Sequence, residues 1–285
     1  MKIKEKLAIA YMRARLNILA LASPASAAKK AMEIFCTPFK RSGKKLPPLF
    51  DKGEKLSFKM DGTTIRGHRW LPHQASSATL KKVLIAHGFE SSSRNFEQYI
   101  QGFLKKGYEV LAFDAPAHGQ SGGRRITLPG YIRTLGTALQ QFGPVDAFMA
   151  HSFGGLALTM LLESLPQNPN TRIVLIAPAC EALRAVDSFF EMLHLNPAVR
   201  AAFDDIGLEM TGQPFSWFSI RRAMHRLRSP VLWLQDEDDK ITPLADALLV
   251  KEDGHPNIQF IVTKGLGHRK IYRDKEVMRQ VLAFL

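Results

Sequence analysis

Val145-Asp146-Ala147-Phe148-Met149-Ala150-His151-Ser152-Phe153-Gly154-Gly155-Leu156 is where this sequence commits itself to an architecture. The run Val145 to Ala150, apolar from Ala147 onward, predicts a buried strand, and Gly154 to Leu165 predicts a helix. The chain must therefore reverse within a few residues, with Ser152 at the apex. A turn that sharp strains the apical backbone and crowds strand against helix, so tiny residues are wanted two positions before and two after. Gly154 meets that demand and Ala150 nearly does.

Outward from this turn, short apolar runs alternate with segments of helical length, the pattern of an α/β protein. Strands are predicted at Lys55 to Met60, Thr64 to Leu71, Lys82 to His87, Tyr108 to Asp114, Val145 to Ala150, Arg172 to Ala177, Pro230 to Leu234 and Asn257 to Val262. Helices are predicted over Asn95 to Lys106, Leu128 to Phe142, Gly154 to Leu165 and Asp246 to Lys251. Runs such as Val83-Leu84-Ile85-Ala86 and Ile173-Val174-Leu175-Ile176 have no polar alternation, so both strand faces should be covered, as in a mostly parallel sheet. Asp61-Gly62 splits the first two strands into an antiparallel hairpin. Between the sixth and seventh strands, residues 181–228 form a connection far longer than the fold needs, and they read as a helical cap or lid. Their Phe189, Phe190, Leu193, Phe203, Phe215 and Trp217 could roof an apolar pocket, although core packing accounts for most such residues.

At 285 residues, 46% hydrophobic and 23% charged, the chain is long enough to bury a large core and too ordinary in composition to be disordered. Its two cysteines, Cys36 and Cys180, rule out a disulfide scaffold or a four-thiolate zinc site and point to a reducing compartment such as the cytoplasm. The net charge of +13 could suggest nucleic acid, but residues 1–45 hold 11 basic residues against Glu5 and Glu33. That leaves 28 basic against 24 acidic residues in the remainder, with no nucleic-acid module among them. The basicity belongs to an N-terminal extension, residues 1–50, in which Leu7, Ile9, Ala10, Met12, Leu16, Leu19 and Ala20 have helical spacing among Lys2, Lys4, Lys6, Arg13 and Arg15. Three readings of it stand open: a helix packed on its own domain, a membrane-peripheral device, and a short signal-like core before Ala25-Ser26-Ala27.

Ala150-His151-Ser152-Phe153-Gly154 resembles the nucleophile elbow of the α/β-hydrolase superfamily, and the resemblance extends over roughly residues 51 to 285. Other landmarks follow in order: His87-Gly88-Phe89, Asp114-Ala115-Pro116-Ala117-His118-Gly119-Gln120-Ser121, Asp239-Lys240-Ile241-Thr242-Pro243 and Gly265-Leu266-Gly267-His268. Ala150 departs from the usual glycine. The resemblance implies an eight-stranded, mostly parallel sheet flanked by helices. The core would comprise residues 51–180 and 229–285, the cap residues 181–228.

A serine hydroxyl is a weak nucleophile near neutral pH and needs a base. His268, in a glycine-rich loop after the last strand, is the candidate, and its place after the acid fits the family's order. Within the acidic run Asp236-Glu237-Asp238-Asp239, the resemblance selects Asp239 as the orienting acid, with Asp236 in reserve. It also implies an oxyanion hole from the N–H groups of Phe89 and Phe153, and it makes His87 and His118 structural loop histidines. No histidine pair has metal-ligand spacing, so neither a metal nor another cofactor is expected. The expected function is hydrolysis of small carboxylic esters with an apolar acyl or aryl group through an acyl-serine intermediate. A thioesterase, a monoacylglycerol-lipase-like enzyme and a carbon–carbon bond hydrolase share these residues, and a non-catalytic binding protein on the same fold is the reading from another class.

Overall fold

The computed structural model describes residues 3–39, 46–72 and 80–285, and the chain divides into two units, Pro38–Cys180 with Ile220–Leu285, and Met1–Thr37 with Glu181–Ser219. The larger unit is built on an eight-stranded sheet: β1 (Glu54–Met60), β2 (Thr63–Trp70), β3 (Lys82–Ala86), β4 (Glu109–Phe113), β5 (Ala147–His151), β6 (Arg172–Ile176), β7 (Val231–Asp236) and β8 (Ile258–Thr263). The spatial order is β1-β2-β4-β3-β5-β6-β7-β8. β1 and β2 form an antiparallel hairpin whose turn residues Asp61 and Gly62 both have positive φ, as a tight primed turn requires. β2 meets β4 antiparallel, and every later pairing is parallel. β4 and β5 are buried throughout and β3 and β6 along all but their first residue, which is why their sequences lack alternation, whereas β1 alternates and the edge strand β8 is only partly covered.

Helices flank this sheet: the short α3 (Pro48–Asp51), then α4 (Glu97–Lys105), α5 (Leu128–Phe142), α6 (Phe153–Ser164), α9 (Ile220–Met224), α10 (Leu244–Glu252), α11 (Gly267–Lys270) and α12 (Lys275–Phe284). Thr127 starts α5 by accepting the Gly130 N–H, and Asp274 starts α12 by accepting the N–H groups of Glu276 and Val277. Phe96, Tyr99, Ile100, Phe103, Val277 and Val281 bring α4 and α12 into one apolar core with β3, β5, β6 and β7. Because β3, β5, β7 and β8 are parallel, the loops leaving their carboxyl ends share one edge of the sheet.

The smaller unit contains four principal helices, α1 (Ile3–Ala22), α2 (Pro24–Phe35), α7 (Ala182–Leu193) and α8 (Pro197–Thr211). Its core joins Leu16, Ala27, Ala28, Ala31 and Met32 to Val186, Phe189, Phe190, Leu193, Val199 and Phe203. Phe35, Phe189, Phe190 and Phe203 meet mainly edge to face. Phe189, Phe190, Leu193 and Phe203, expected to roof a pocket, instead form this unit's interior with Phe215 packed against it, and the N-terminal helices share it. The unit's second boundary falls between Ser219 and Ile220 rather than at 228, because α9 belongs with the sheet: Arg222 forks onto the buried Glu163 of α6 at 2.5 and 2.6 Å. Ala27, in the stretch that could be read as a cleavage site, is buried inside α2. Cys36 and Cys180 are both buried, and among the described residues no helix is long and apolar enough to cross a membrane.

Candidate active site

β5 runs directly into α6 through Ser152, whose φ of 54° and ψ of −125° lie outside the comfortable regions for a residue with a side chain. Packing enforces that strain. A Cβ at Gly154 would stand 2.5 Å from the His87 carbonyl oxygen and 2.7 Å from that of Ala86, so only glycine lets α6 start so close to β3. On the other side, Gly88 lies so near that a Cβ there would be 2.9 Å from that of Ser152. The structure brings the sequence-derived residues together: Ser152 Oγ is 2.9 Å from His268 Nε2, and His268 Nδ1 is 2.8 Å from Asp239 Oδ2. These distances fit a hydroxyl donating to Nε2 while the Nδ1–H donates to the carboxylate.

Asp239 is held on every side. Its Oδ1 accepts the N–H groups of Ile241 and Thr242 at 2.8 and 2.9 Å, and its Oδ2 accepts the Thr242 hydroxyl at 2.7 Å. Burial alone would raise its pKa, but the bonds from His268 and Thr242 outweigh this and hold the carboxyl below its ordinary range. Asp236, the reserve candidate, does something else. Its Oδ1 accepts the N–H of Gly267 at 2.7 Å and that of Asp238 at 3.0 Å, while its Oδ2 accepts the Leu266 N–H and the Thr263 hydroxyl. Against its burial, those donors also keep Asp236 ionised. Asp238 Oδ2 accepts the Gly265 N–H. Two carboxylates of the acidic run thus grip the backbone that leads to His268, and Gly265 and Gly267 supply the positive φ that the loop needs.

Two contributors were not singled out from sequence. His151 precedes Ser152, is fully buried, and lies 3.1 Å through Nε2 from the His268 carbonyl oxygen, which fits an Nε2–H donating to it. Its ring packs on His268 and Tyr272 at centroid distances of 4.8 and 4.5 Å. Burial, reinforced by the neighbouring His268, pushes His151 down to about 3, so its ring is held neutral. Its position immediately before the apical serine was the available signal. The other contributor is Thr242, recognisable only once its hydroxyl is seen on Asp239.

Phe89 and Phe153 flank the serine, their rings 6.2 Å apart, and Tyr131 lies 5.7 Å from Phe153. Phe153 opens α6, so its N–H is among those with no acceptor inside the helix. His87 and His118 bind backbone: His87 Nε2 accepts the Ala115 N–H and His118 Nε2 accepts that of Glu90. Elsewhere among the described residues, His225, Asp253 and His255 bring ligand-type atoms within 4.8 Å of one another, by the connection that enters β8. Both Asp253 oxygens there accept from Arg221, at 2.6 and 2.8 Å.

Residues 77–208 match a family described as serine aminopeptidase, S33. The uncharacterized protein YqkD of Bacillus subtilis is 35% identical over 85 residues, a stretch that spans 29% of this chain and 27% of that relative's length. Among solved structures, the Pyrococcus furiosus esterase Pf2001 aligns with a TM-score of 0.64 at 19% identity, over 87% of this chain and 95% of that one. Est1E from Butyrivibrio proteoclasticus, a structure with ferulic acid bound, aligns with a TM-score of 0.62 at 15% identity, over 80% and 97% of the two chains. The α/β hydrolase GrgF from a Penicillium species gives 0.59 at 18% identity, over 81% and 97%. At these identities the likeness establishes the fold.

Proposed function

This chain has the α/β-hydrolase fold, and from that premise we propose that it is a serine hydrolase cleaving carboxylic esters through an acyl-serine intermediate, with Ser152, His268 and Asp239 as nucleophile, base and orienting acid. The observation that carries this reading is the unbroken relay from Ser152 Oγ through the His268 ring to Asp239, with 2.9 and 2.8 Å links, mounted on a strained strand-to-helix turn. His268 Nε2 takes the hydroxyl proton as Ser152 Oγ bonds to the ester carbonyl carbon. The N–H groups of Phe89 and Phe153 stabilise the resulting oxyanion. The imidazolium then protonates the leaving alcohol as the carbon–oxygen bond breaks. In the second half, His268 deprotonates a water that releases the acid and restores the serine. Asp239, held ionised by its donors, keeps the proton on Nδ1 and offsets the imidazolium charge.

The exposed Phe89 ring, with Phe153 and Tyr131 behind it, supports an apolar acyl or aryl group. The esterase name of one structural neighbour, Pf2001, favours oxygen esters. The description attached to the matched family makes amide hydrolysis the competing reading. The test is labelling of the folded protein by a fluorophosphonate, with Ser152→Ala as control, followed by turnover of p-nitrophenyl esters, acyl thioesters and aminoacyl p-nitroanilides. Expected are labelling lost in Ser152→Ala and fastest turnover of the apolar esters. Absence of labelling removes the nucleophile, whereas labelling with turnover only of anilides keeps the nucleophile and removes the ester.

A further inference from the structure

We propose that α1 docks this protein on anionic lipid surfaces, lying in the interface with one apolar stripe inserted. α1 is apolar on two sides. Leu16 and Ala20 are buried, and Ile9, Met12 and Leu19 pack beside them in the core shared with α2 and α7. Arg13 and Asn17 fix that orientation through bonds to the Met192 and Leu193 carbonyl oxygens. Yet on the opposite side Leu7, Tyr11, Ile18 and Leu21 are 65%, 66%, 69% and 88% exposed. Their spacing, with Ala14 between Tyr11 and Ile18, places them in one stripe along the helix. Scattered exposed apolar residues need no explanation, but four large ones aligned on a single helix do.

The charges select the occupant. Lys6 and Arg15 are exposed and, at about 100° per residue, lie roughly 100° to one side and 80° to the other of the stripe's centre. Lys2 and Lys4 precede them in sequence, and Glu5 is the one acidic residue within α1. An apolar strip between basic margins matches acyl chains below a layer of anionic headgroups. A nucleic acid would meet the charges but leave the strip in water, and a second copy would set like-charged margins against each other. Because no described helix qualifies as a membrane span, α1 lies on the bilayer rather than crossing it.

The experiment is vesicle co-sedimentation of the full chain with phosphatidylcholine alone and with phosphatidylcholine–phosphatidylglycerol, at low and raised salt, alongside gel filtration without lipid. Expected is binding to the anionic vesicles that weakens with salt, falls about fivefold for each of Lys6→Gln and Arg15→Gln, and falls tenfold or more in Ile18→Ser/Leu21→Ser. Far-UV circular dichroism checks the helical content of each variant. If the double serine variant does not fold, the two exposed glutamine variants carry the test. Equal binding to neutral and anionic vesicles, no binding to either, or binding unaffected by the substitutions overturns the proposal. Self-association in lipid-free solution that disappears in the serine variant also overturns it, in favour of a second copy.

Discussion

Replacing Asp239 by asparagine tests the relay at its least exchangeable atom. The two Asp239 oxygens have different partners: Oδ1 accepts two backbone N–H groups, whereas Oδ2 faces His268 Nδ1 and the Thr242 hydroxyl. An asparagine must put its carbonyl oxygen where Oδ1 was, because its amide nitrogen cannot accept from Ile241 and Thr242. The –NH2 group then points at His268 Nδ1 and donates to it, leaving the imidazole proton on Nε2. That proton faces Ser152 Oγ, where an unshared pair is required. Backbone and shape are unchanged, yet the base is removed. The expected loss in kcat is about ten-thousandfold, or roughly 5 kcal/mol of transition-state stabilisation, with KM little altered. Asp236→Asn is the matched control. There the amide nitrogen strands one donor of the His268 loop, Leu266 N–H, at a cost of about 1–3 kcal/mol of stability, while the tautomer is kept. Steady-state kinetics on a p-nitrophenyl ester, with urea unfolding of both variants, reads the contrast. Asp239→Asn within tenfold of the parent, or Asp236→Asn the more damaging to kcat, refutes the assignment.

Acid should destabilise the native state through His151. The unfolded imidazole takes a proton near its ordinary value of 6.5, but the folded one refuses it until about 3, so the unfolded chain binds more protons between those values and stability falls as pH drops through them. At about pH 5 the loss attributable to His151 is roughly 2 kcal/mol, and burial of His87, also shifted down, adds in the same direction. His151→Gln, which can still donate to the His268 carbonyl, should flatten the pH dependence of denaturant unfolding by about that amount; an unchanged slope counts against the buried neutral ring. At the elbow, Gly154→Ala forces a methyl against two backbone oxygens that have nowhere to go, so a fall in kcat of a hundredfold or more is expected, with about 1–3 kcal/mol of lost stability. Ala150→Gly, by contrast, should leave kcat within a fewfold and cost about 0.5–1 kcal/mol in the strand; equal damage from the two would remove the packing argument.

What the sequence disclosed was whatever local physics determines. Unbroken apolar runs announced the covered strands, Asp61-Gly62 announced the hairpin, and the small residues around Ser152 announced a turn whose crowding is visible in the contacts Gly154 would make. The partnership of residues 1–37 with 181–219 was hidden, because periodicity reveals that a helix has an apolar face and not which distant helix covers it. α1 made the matter harder by being apolar on both faces. The boundary between Ser219 and Ile220, ahead of residue 228, was hidden for a related reason: Arg222 looks like any surface cation until Glu163, 59 positions away, is found beneath it.

Within the site, the difficulty was chemical degeneracy rather than distance. Asp236, Glu237, Asp238 and Asp239 offer the same functional group four times over, and the resemblance alone could only rank them. The loop separates them by what each carboxylate has to satisfy. Asp236 and Asp238 meet backbone donors from the His268 loop and Glu237 pairs with Lys264, whereas Asp239 turns Oδ2 to the imidazole. The acidic run is therefore one device with two functions, a clasp that fixes where the histidine backbone stands and a charge that fixes which nitrogen holds its proton. His151 completes the clasp from the other side with a donor that burial keeps neutral. In the proposed reaction a charged group there would oppose the imidazolium as it forms, and a neutral His151 holds the loop without adding charge.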